Sequence, residues 1–232
     1  MKKNIKYILL GIGIIIGIEI IIGIIGAIVE EHSYSSPKSS EFDKYYYKNR
    51  DKVDLEMNKN VEYEDYLLED GNLLVKVTNN NDYSARATIY VEFLDQENKT
   101  LTILDEHIGH ISGGRDYYER VRVNEELQKQ YKSYEVKVVL EYDALSESYD
   151  DGIKLVSFDE KNGIIKFKNN TNKKIDSVYW GILYYDENNK IIDYSYVYSN
   201  SVKAHKTVTE KVYYTNKTYN KIKVVFLDAY RY

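Results

Sequence analysis

The sequence predicts an all-β protein in which two tandem antiparallel β-sandwich modules follow a single N-terminal transmembrane α-helix. Three observations lead to this prediction: a long apolar run near the N-terminus, an internal repeat beyond residue 60, and short runs in which apolar and polar residues alternate. The 26 tyrosines fit the same class, because Tyr, Ile and Val favour strands. The chain has no cysteine, which excludes disulfides, thiolate catalysis and Cys-ligated zinc. A net charge of -5 without a basic stripe argues against nucleic acid as the partner.

The apolar run covers residues 7–29 and contains one charged residue, Glu19. A helix with a rise of ~1.5 Å per residue would be about 34 Å long here, enough for a hydrocarbon core of ~30 Å. A cleaved signal peptide, the alternative, has a shorter apolar region that ends in a small-x-small site. Glu30 and Glu31 follow the run at once, which is a poor context for cleavage. The sequence therefore predicts a retained single-pass anchor in the cell membrane.

The flanking charges predict the orientation of this anchor. Lys2, Lys3 and Lys6 precede the span, whereas the first residues after it are acidic. Because an excess of Lys and Arg marks the cytoplasmic side, residues 1–6 should form a cytoplasmic tail. The remainder of the chain is then expected to be extracytoplasmic.

One face of the predicted span carries a candidate helix-packing motif. Glu19, Gly23 and Gly26 lie at positions i, i+4 and i+7 of a helix. Small residues let two helices approach closely, and a carboxyl group within a membrane seeks a hydrogen-bond partner. Self-association, or packing against a partner helix, is one interpretation. The other is a protonated Glu19 that is tolerated in a very apolar span.

Residues 30–60 read as a linker between the membrane and the modules. They contain the only proline, Pro37, and are dominated by Ser, Lys, Asp and Asn without a sustained period. This composition predicts a solvated stalk that is disordered or partly helical around residues 42–56.

Beyond the linker the chain repeats itself in three stretches whose order is kept. The matching stretches are LLVKVTNNND (73–82) with GIIKFKNNTN (163–172), VEFLDQENKTL (91–101) with ILYYDENNKII (182–192), and KSYEVKVVLEYD (132–143) with KTYNKIKVVFLDAY (217–230). The repeat predicts a tandem duplication, with a first module at residues 61–145 and a second at residues 146–232.

Within each predicted module, short apolar runs have a period of two. Val75 and Val77 alternate with Lys76 and Thr78, and similar runs follow at intervals. Asn and Gly between the runs tolerate the positive φ of tight turns. Half-buried strands joined by short turns predict a sandwich of two antiparallel sheets whose inner faces form the core.

The repeated stretches also resemble FxLYD-type, immunoglobulin-like extracytoplasmic modules of bacterial envelope proteins. The shared features are a strand that ends in Asn (VTNN, FKNN), an aromatic-x-Asp turn followed by Lys, and a closing apolar strand with Asp (VVLEYD, VVFLDAY). The resemblance covers residues from about 65 to 232. It implies an Ig-like sandwich in the cell envelope and no particular activity. Members are commonly lipidated through a cysteine, which this chain lacks, so its membrane helix would take over anchoring.

The sequence offers little that could carry chemistry, and we expect no enzyme, cofactor or metal site. His107 and His110 belong to an HIGH tetrapeptide without the nucleotide-binding context of that signature. A zinc site at these two histidines would need a turn, because residues three apart on a strand point to opposite faces. The acidic stretches 159–163 and 186–189 lack the spacing of calcium loops and are typical of hairpin turns.

A row of tyrosines distinguishes the second copy from the first. Tyr194, Tyr196 and Tyr198 lie at i, i+2 and i+4 of a predicted strand, whereas the corresponding stretch 102–107 has no aromatic residue. An exposed row could stack on sugars or contact the apolar surface of a partner. The alternative, which we favour because aromatic rings are usually buried, is that the rings face inward and complete a core.

The function that the sequence favours is a binding or scaffolding protein on the outer face of a membrane, with a protein or a cell-wall polymer as partner. A structural spacer subunit of a membrane assembly is the alternative. The two differ in the tyrosine row, since exposed rings favour binding and buried rings favour the spacer.

Overall fold

The computed structural model describes residues 41–144, 146–212 and 215–231. The predicted membrane span 7–29 and cytoplasmic tail 1–6 lie outside the described residues. None of the helices within the described part of the chain has the length and apolar character that a membrane crossing requires.

The predicted helix-packing residues Glu19, Gly23 and Gly26 also lie outside the described residues.

The described residues contain thirteen strands, two α-helices and a 3₁₀ turn at Asp150–Gly152. The helices are α1 (Glu41–Met57), which is kinked at Asn49, and α2 (Glu125–Gln130). The strands are β1 (Val61–Leu67), β2 (Leu73–Asn79), β3 (Ala85–Leu94), β4 (Thr100–Ile111), β5 (Arg115–Val121), β6 (Ser133–Tyr142), β7 (Glu147–Ser148), β8 (Ile153–Asp159), β9 (Ile164–Asn169), β10 (Ile175–Tyr185), β11 (Ile191–Val202), β12 (Thr207–Lys211) and β13 (Lys221–Arg231).

The strands form four antiparallel sheets, which confirms the predicted all-β class. Sheets β1-β2-β5 and β4-β3-β6 make up what we call the first sheet pair. Sheets β12-β9-β8 and β11-β10-β13-β7 make up the second sheet pair. Apart from the short β7, strand order in the second pair repeats that in the first.

Each sheet pair encloses its own apolar cluster, as the period-two alternation requires. Val75 and Ile89, from facing sheets of the first pair, are fully buried in the first core. Phe167 and Trp180 meet in the second core with ring centroids 5.8 Å apart. Alternate residues of these strands point away from the core, so each sheet also has an outer face.

The end of the predicted stalk belongs to the first core, which corrects the expectation of a solvated linker up to residue 60. Met57 is only 3% exposed, and Val53 packs against the same cluster. The Asn58 side chain donates to the carbonyl of Leu140 (2.8 Å) and accepts from its amide (2.7 Å). Val53 and Met57 are four residues apart and therefore share one face of α1, although the segment as a whole is polar. The helix itself agrees with the predicted partly helical region around residues 42–56.

A buried asparagine ends the central strand of one sheet in each sheet pair in the same way. Asn79 Nδ2 donates to the carbonyls of Tyr83 (2.8 Å) and Ile111 (3.2 Å). Asn169 Nδ2 donates to those of Lys173 (2.9 Å) and Val202 (3.1 Å). Both asparagines are fully buried, and each ties the end of its strand to the strand of the facing sheet. The repeated Asn therefore satisfies backbone groups that the sandwich buries.

The aromatic-x-Asp turns are also equivalent. Asp95 Oδ1 accepts from the amide of Lys99 (2.9 Å), and Asp186 Oδ1 accepts from that of Lys190 (2.9 Å). Asn98 has φ 60°, and the corresponding Asn in the second turn has the same value. Asp and Asn thus close hairpin turns here, as predicted for stretch 186–189.

A third apolar cluster lies between the two sheet pairs. Leu74 and Tyr118, on the outer face of sheet β1-β2-β5, pack against Leu183, Tyr194 and Leu227 on the outer face of sheet β11-β10-β13-β7. This contact, which we call the inter-pair interface, joins the two sheet pairs into one packed body.

Candidate functional site

The three tyrosines singled out in the sequence share one face of β11 but have different surroundings. Tyr196 is 56% exposed and Tyr198 is 53% exposed, whereas Tyr194 is only 6% exposed. Val197, on the opposite face of the strand, points into the second core. The rings therefore lie on the outer face of their sheet, and the inward alternative favoured above is wrong for Tyr196 and Tyr198.

Tyr194 is buried in the inter-pair interface rather than in a sandwich core. Its hydroxyl donates to the carbonyl of Tyr118 (2.9 Å), and the two rings stack with centroids 6.4 Å apart. Burial raises the pKa of the Tyr194 phenol well above its ordinary value, so it stays protonated and keeps donating. In the first pair the equivalent position is Ile103, which is 55% exposed because none of the described residues packs over it as the first pair packs over Tyr194.

The exposed rings continue into a row that crosses the sheet. Tyr198 stacks on Tyr179 (6.1 Å), Tyr179 stacks on Tyr230 (6.1 Å), and Tyr196 stands beside Tyr198 (6.4 Å). Tyr230 is buried and lies 5.0 Å from the ring of His110 in the first pair. This tyrosine row is thus held at one end under the first pair and open to solvent at the other.

A cleft of about 400 Å³ adjoins the open end of the tyrosine row. Four of its lining residues come from β4, β5 and the residue after β5 in the first pair, and three come from β11 in the second. The lining residues are Glu106, Glu119, Arg120, Arg122, Tyr194, Ser195 and Tyr196. Neither sheet pair alone would form this cleft.

Two carboxyl groups of the cleft occupy inward positions on edge strands. Glu106 on β4 is opposite Ile89, and Glu119 on β5 is opposite Val75. Directly opposed residues share a face, and both apolar partners point into the first core. The carboxyl groups therefore meet where β4 and β5 border the open edge of the first sandwich. Sequence reasoning missed them, although each replaces an apolar residue in the alternation of its strand.

The surroundings of Glu119 make it unusually basic for a carboxylate. Burial and the negative charge of Glu106 together raise the pKa of Glu119 to about 7, against the opposing effects of the Arg120 amide and the Arg122 charge. The amide of Arg120 donates to the carboxylate at 3.0 Å. Near neutral pH this group is present in both protonation states, so it can donate as well as accept a hydrogen bond.

Arg120 holds the two walls of the cleft together. Its guanidinium donates to Asp193 (2.5 Å), to the carbonyl of Tyr194 and to Asp70 (3.4 Å). These bonds satisfy its charge within the protein. Arg122, two residues further along, is exposed, and its charge acts on Glu119.

The second sheet pair has an equivalent of Glu119 but not of Glu106. Glu210 on β12 is opposite Ile165, as Glu119 is opposite Val75, and it accepts from the hydroxyl of Ser199 (2.5 Å). The position equivalent to Glu106 is Val197. An inward charge on an edge strand discourages edge-to-edge aggregation, which explains a glutamate shared by both pairs. It does not explain the second carboxylate at Glu106.

The two histidines considered for zinc have separate environments. His107 is exposed and lies 3.1 Å from Asp105. His110 is fully buried, and its Nδ1 is 2.6 Å from Oδ2 of Asp228 in the second pair. Ser112 donates to the other oxygen of Asp228 (3.2 Å). The partner of His110 is 118 residues away in the sequence, so no local pattern could indicate it.

His110 and Asp228 each change the pKa of the other. Burial alone would lower the pKa of His110, but its hydrogen bond to Asp228 and the charges of Asp228, Asp143 and Asp150 outweigh this and raise it. Burial raises the pKa of Asp228 to about 6, against the lowering effect of His110. Arg115 faces the same cluster, with its Nε 3.5 Å from Asp150.

We expect the folded protein to lose stability as pH rises from 5.5 to 8.5. His110, Asp228 and Glu119 each have a higher pKa in the folded protein than in the unfolded chain, so the native state binds more protons in this range and raising the pH favours unfolding. Urea denaturation at the two pH values measures the change in the free energy of unfolding. The double variant His110→Phe/Asp228→Leu should lose one part of this pH dependence and Glu119→Gln another part. An unchanged dependence in both variants would contradict the assignment.

No protein-family model and no curated protein matches the chain. Among solved structures the chain is similar to red sea bream transglutaminase, with 9% sequence identity over 84% of this chain and a TM-score of 0.27. The alignment spans 34% of that protein's length. At this TM-score the likeness says nothing about the activity of the present chain.

Proposed function

We propose that the protein is a membrane-anchored extracytoplasmic binding protein built from two tandem Ig-like sandwich modules, with the boundaries 61–145 and 146–232. The repeated strand order, the equivalent buried Asn79 and Asn169, and the matching Asp turns support the duplication. The apolar segment 7–29 and its lysine flank support the anchor and its orientation.

The observation that carries the binding function is the open end of the tyrosine row beside the cleft. Tyr196 and Tyr198 leave more than half of their surface in water, although rings of this size are usually buried when packing alone determines their place. Exposed aromatic groups beside polar side chains are typical of recognition surfaces. We assign partner binding to Tyr196, Tyr198 and the cleft.

The alternative, a structural spacer, has support of its own. Tyr194 and the inner half of the tyrosine row serve the inter-pair interface, which suits a stiff body that holds something else away from a membrane. The spacer requires no occupant at Tyr196 and Tyr198.

The two functions can be distinguished by cysteine protection, because the chain has no natural cysteine. A full-length Tyr198→Cys variant is treated with a membrane-impermeant maleimide in intact cells, and again after purification. We expect labelling in intact cells, which places the residue outside, but at a rate several-fold slower than in the purified protein because a partner covers the site. Tyr90→Cys is the matched control, an exposed tyrosine on the outer face of β3.

The control residue should react equally fast in both settings. Equal rates for Tyr198→Cys in cells and in the purified protein would favour the spacer over a binding protein. Labelling that requires cell lysis at both positions would reverse the orientation and remove the extracytoplasmic assignment.

A further inference from the structure

The cleft combines three kinds of group. It has an exposed ring at Tyr196, hydrogen-bond acceptors at Glu106 and Glu119, and a charged donor at Arg122. The hydroxyl of Ser195 adds a group that both donates and accepts. The site is therefore neither an apolar groove nor a patch of one charge.

This mixture narrows the class of ligand. A phosphorylated or otherwise anionic ligand would meet the carboxylates of Glu106 and Glu119. A metal ion or organic cation would meet Arg122 at the same wall. An apolar ligand would leave these charges buried without partners, which is costly. The ligand that remains is uncharged, rich in groups that both donate and accept hydrogen bonds, and apolar on one face.

We propose that the cleft binds a neutral saccharide chain, with a sugar ring packed against Tyr196 and its hydroxyl groups bonded to Glu106 and Glu119. Vicinal hydroxyls match the two oxygens of a carboxylate and the forked N–H groups of the Arg122 guanidinium. The C–H face of a pyranose packs on an aromatic ring, and the ring of Tyr196 is supported from beside by Tyr198. A volume of about 400 Å³ accommodates one or two sugar residues.

The architecture provides two features that such a site needs. Arg120 ties β5 to β11 through Asp193 and the Tyr194 carbonyl, so the polar wall and the aromatic wall keep a fixed spacing. The open edge of the tyrosine row continues past the cleft to Tyr198, which offers a second ring to the next residue of a chain. Preorganised walls reduce the entropy that is lost on binding.

Comparison of the two sheet pairs adds a further argument. The positions equivalent to Tyr196 and Tyr198 are Asp105 and His107, and the position equivalent to Glu106 is Val197. The rings are thus particular to one copy and the extra carboxylate to the other, and the fold needs neither. They become neighbours only across the inter-pair interface.

This inference rests on the proposed binding function and is tested separately. Full-length protein in lipid nanodiscs is titrated by calorimetry with maltotetraose, cellotetraose and chitotetraose. We expect saturable binding of at least one of the three, and about tenfold or greater weakening in Tyr196→Ala and in Glu106→Gln. Tyr90→Ala should bind as the parent protein does. The melting temperature of each variant shows that it is folded.

Failure to bind any of the three oligosaccharides would overturn the proposal, as would undiminished binding by folded Tyr196→Ala. Protection of Tyr198→Cys in intact cells without oligosaccharide binding would leave a protein partner as the occupant. In that case the binding function survives and the saccharide assignment does not.

Discussion

Replacing His110 by alanine should destabilise the folded protein by about 3–5 kcal/mol, because it leaves a buried carboxylate without its cationic partner. Asp228 and His110 are both fully inaccessible, and Asp150 lies close enough to raise the pKa of Asp228. Removing the imidazole leaves several acidic groups together in the interface and a cavity where the ring stood beside Tyr230. Urea denaturation at pH 7 measures the loss.

The double variant His110→Phe/Asp228→Leu separates the charge effect from the packing effect. Replacing both partners of a buried pair by apolar groups of similar volume is often neutral or stabilising, so the double variant should be much more stable than His110→Ala. Ser112, which donates to Asp228, keeps Ser148 as a partner at 2.7 Å. If the double variant is as unstable as the single one, lost packing rather than an unpaired buried charge accounts for the effect of His110→Ala.

Tyr194→Ser should cost about 3–5 kcal/mol, the range of large aromatic truncations in a core. The substitution removes a ring that packs in the third cluster and a hydroxyl bonded to the Tyr118 carbonyl. Because Tyr194 lies between the two sheet pairs, the loss should also reduce their cooperativity. Thermal and urea unfolding should then show a lower midpoint, a second transition, or both.

The other two tyrosines of β11 provide the matched controls. Tyr196→Ser and Tyr198→Ser alter exposed rings and should each change stability by less than ~0.5 kcal/mol. Similar losses of stability at all three positions would show that Tyr196 and Tyr198 are also covered in solution. No loss at Tyr194 would show that the inter-pair interface is open.

Local patterns in the sequence predicted much of the fold. The alternation around Val75 and Ile89 indicated strands because side chains of a strand point alternately to two faces. The turns were also predictable, since Asp95 and Asp186 bond backbone amides only two to four residues away. The burial of Met57 was not predicted. Met57 and Val53 are two apolar residues in a segment that is polar on average, and the prediction used only the average composition.

Comparison of the two repeated stretches singled out the tyrosine row but did not give the reason for it. A residue that the sandwich itself needs has an equivalent in both sheet pairs, as Asn79 and Asn169 show. Tyr194 has no aromatic equivalent because it serves the packing between the sheet pairs, which involves one face of each pair. The equivalent residue Ile103 lies outside that interface and is exposed.

The sequence by itself determined the all-β class, the positions of most strands and the turns that join them, because each depends on neighbours within a few residues. Only the tertiary structure decided which outer sheet faces are covered, and hence that Tyr194 is buried while Tyr196 and Tyr198 are exposed. It alone brought Glu106 beside Glu119, from strands of different sheets, and His110 to Asp228. A period of two shows which residues of a strand share a face. It does not show what packs against that face, because the packing depends on residues far apart in the chain.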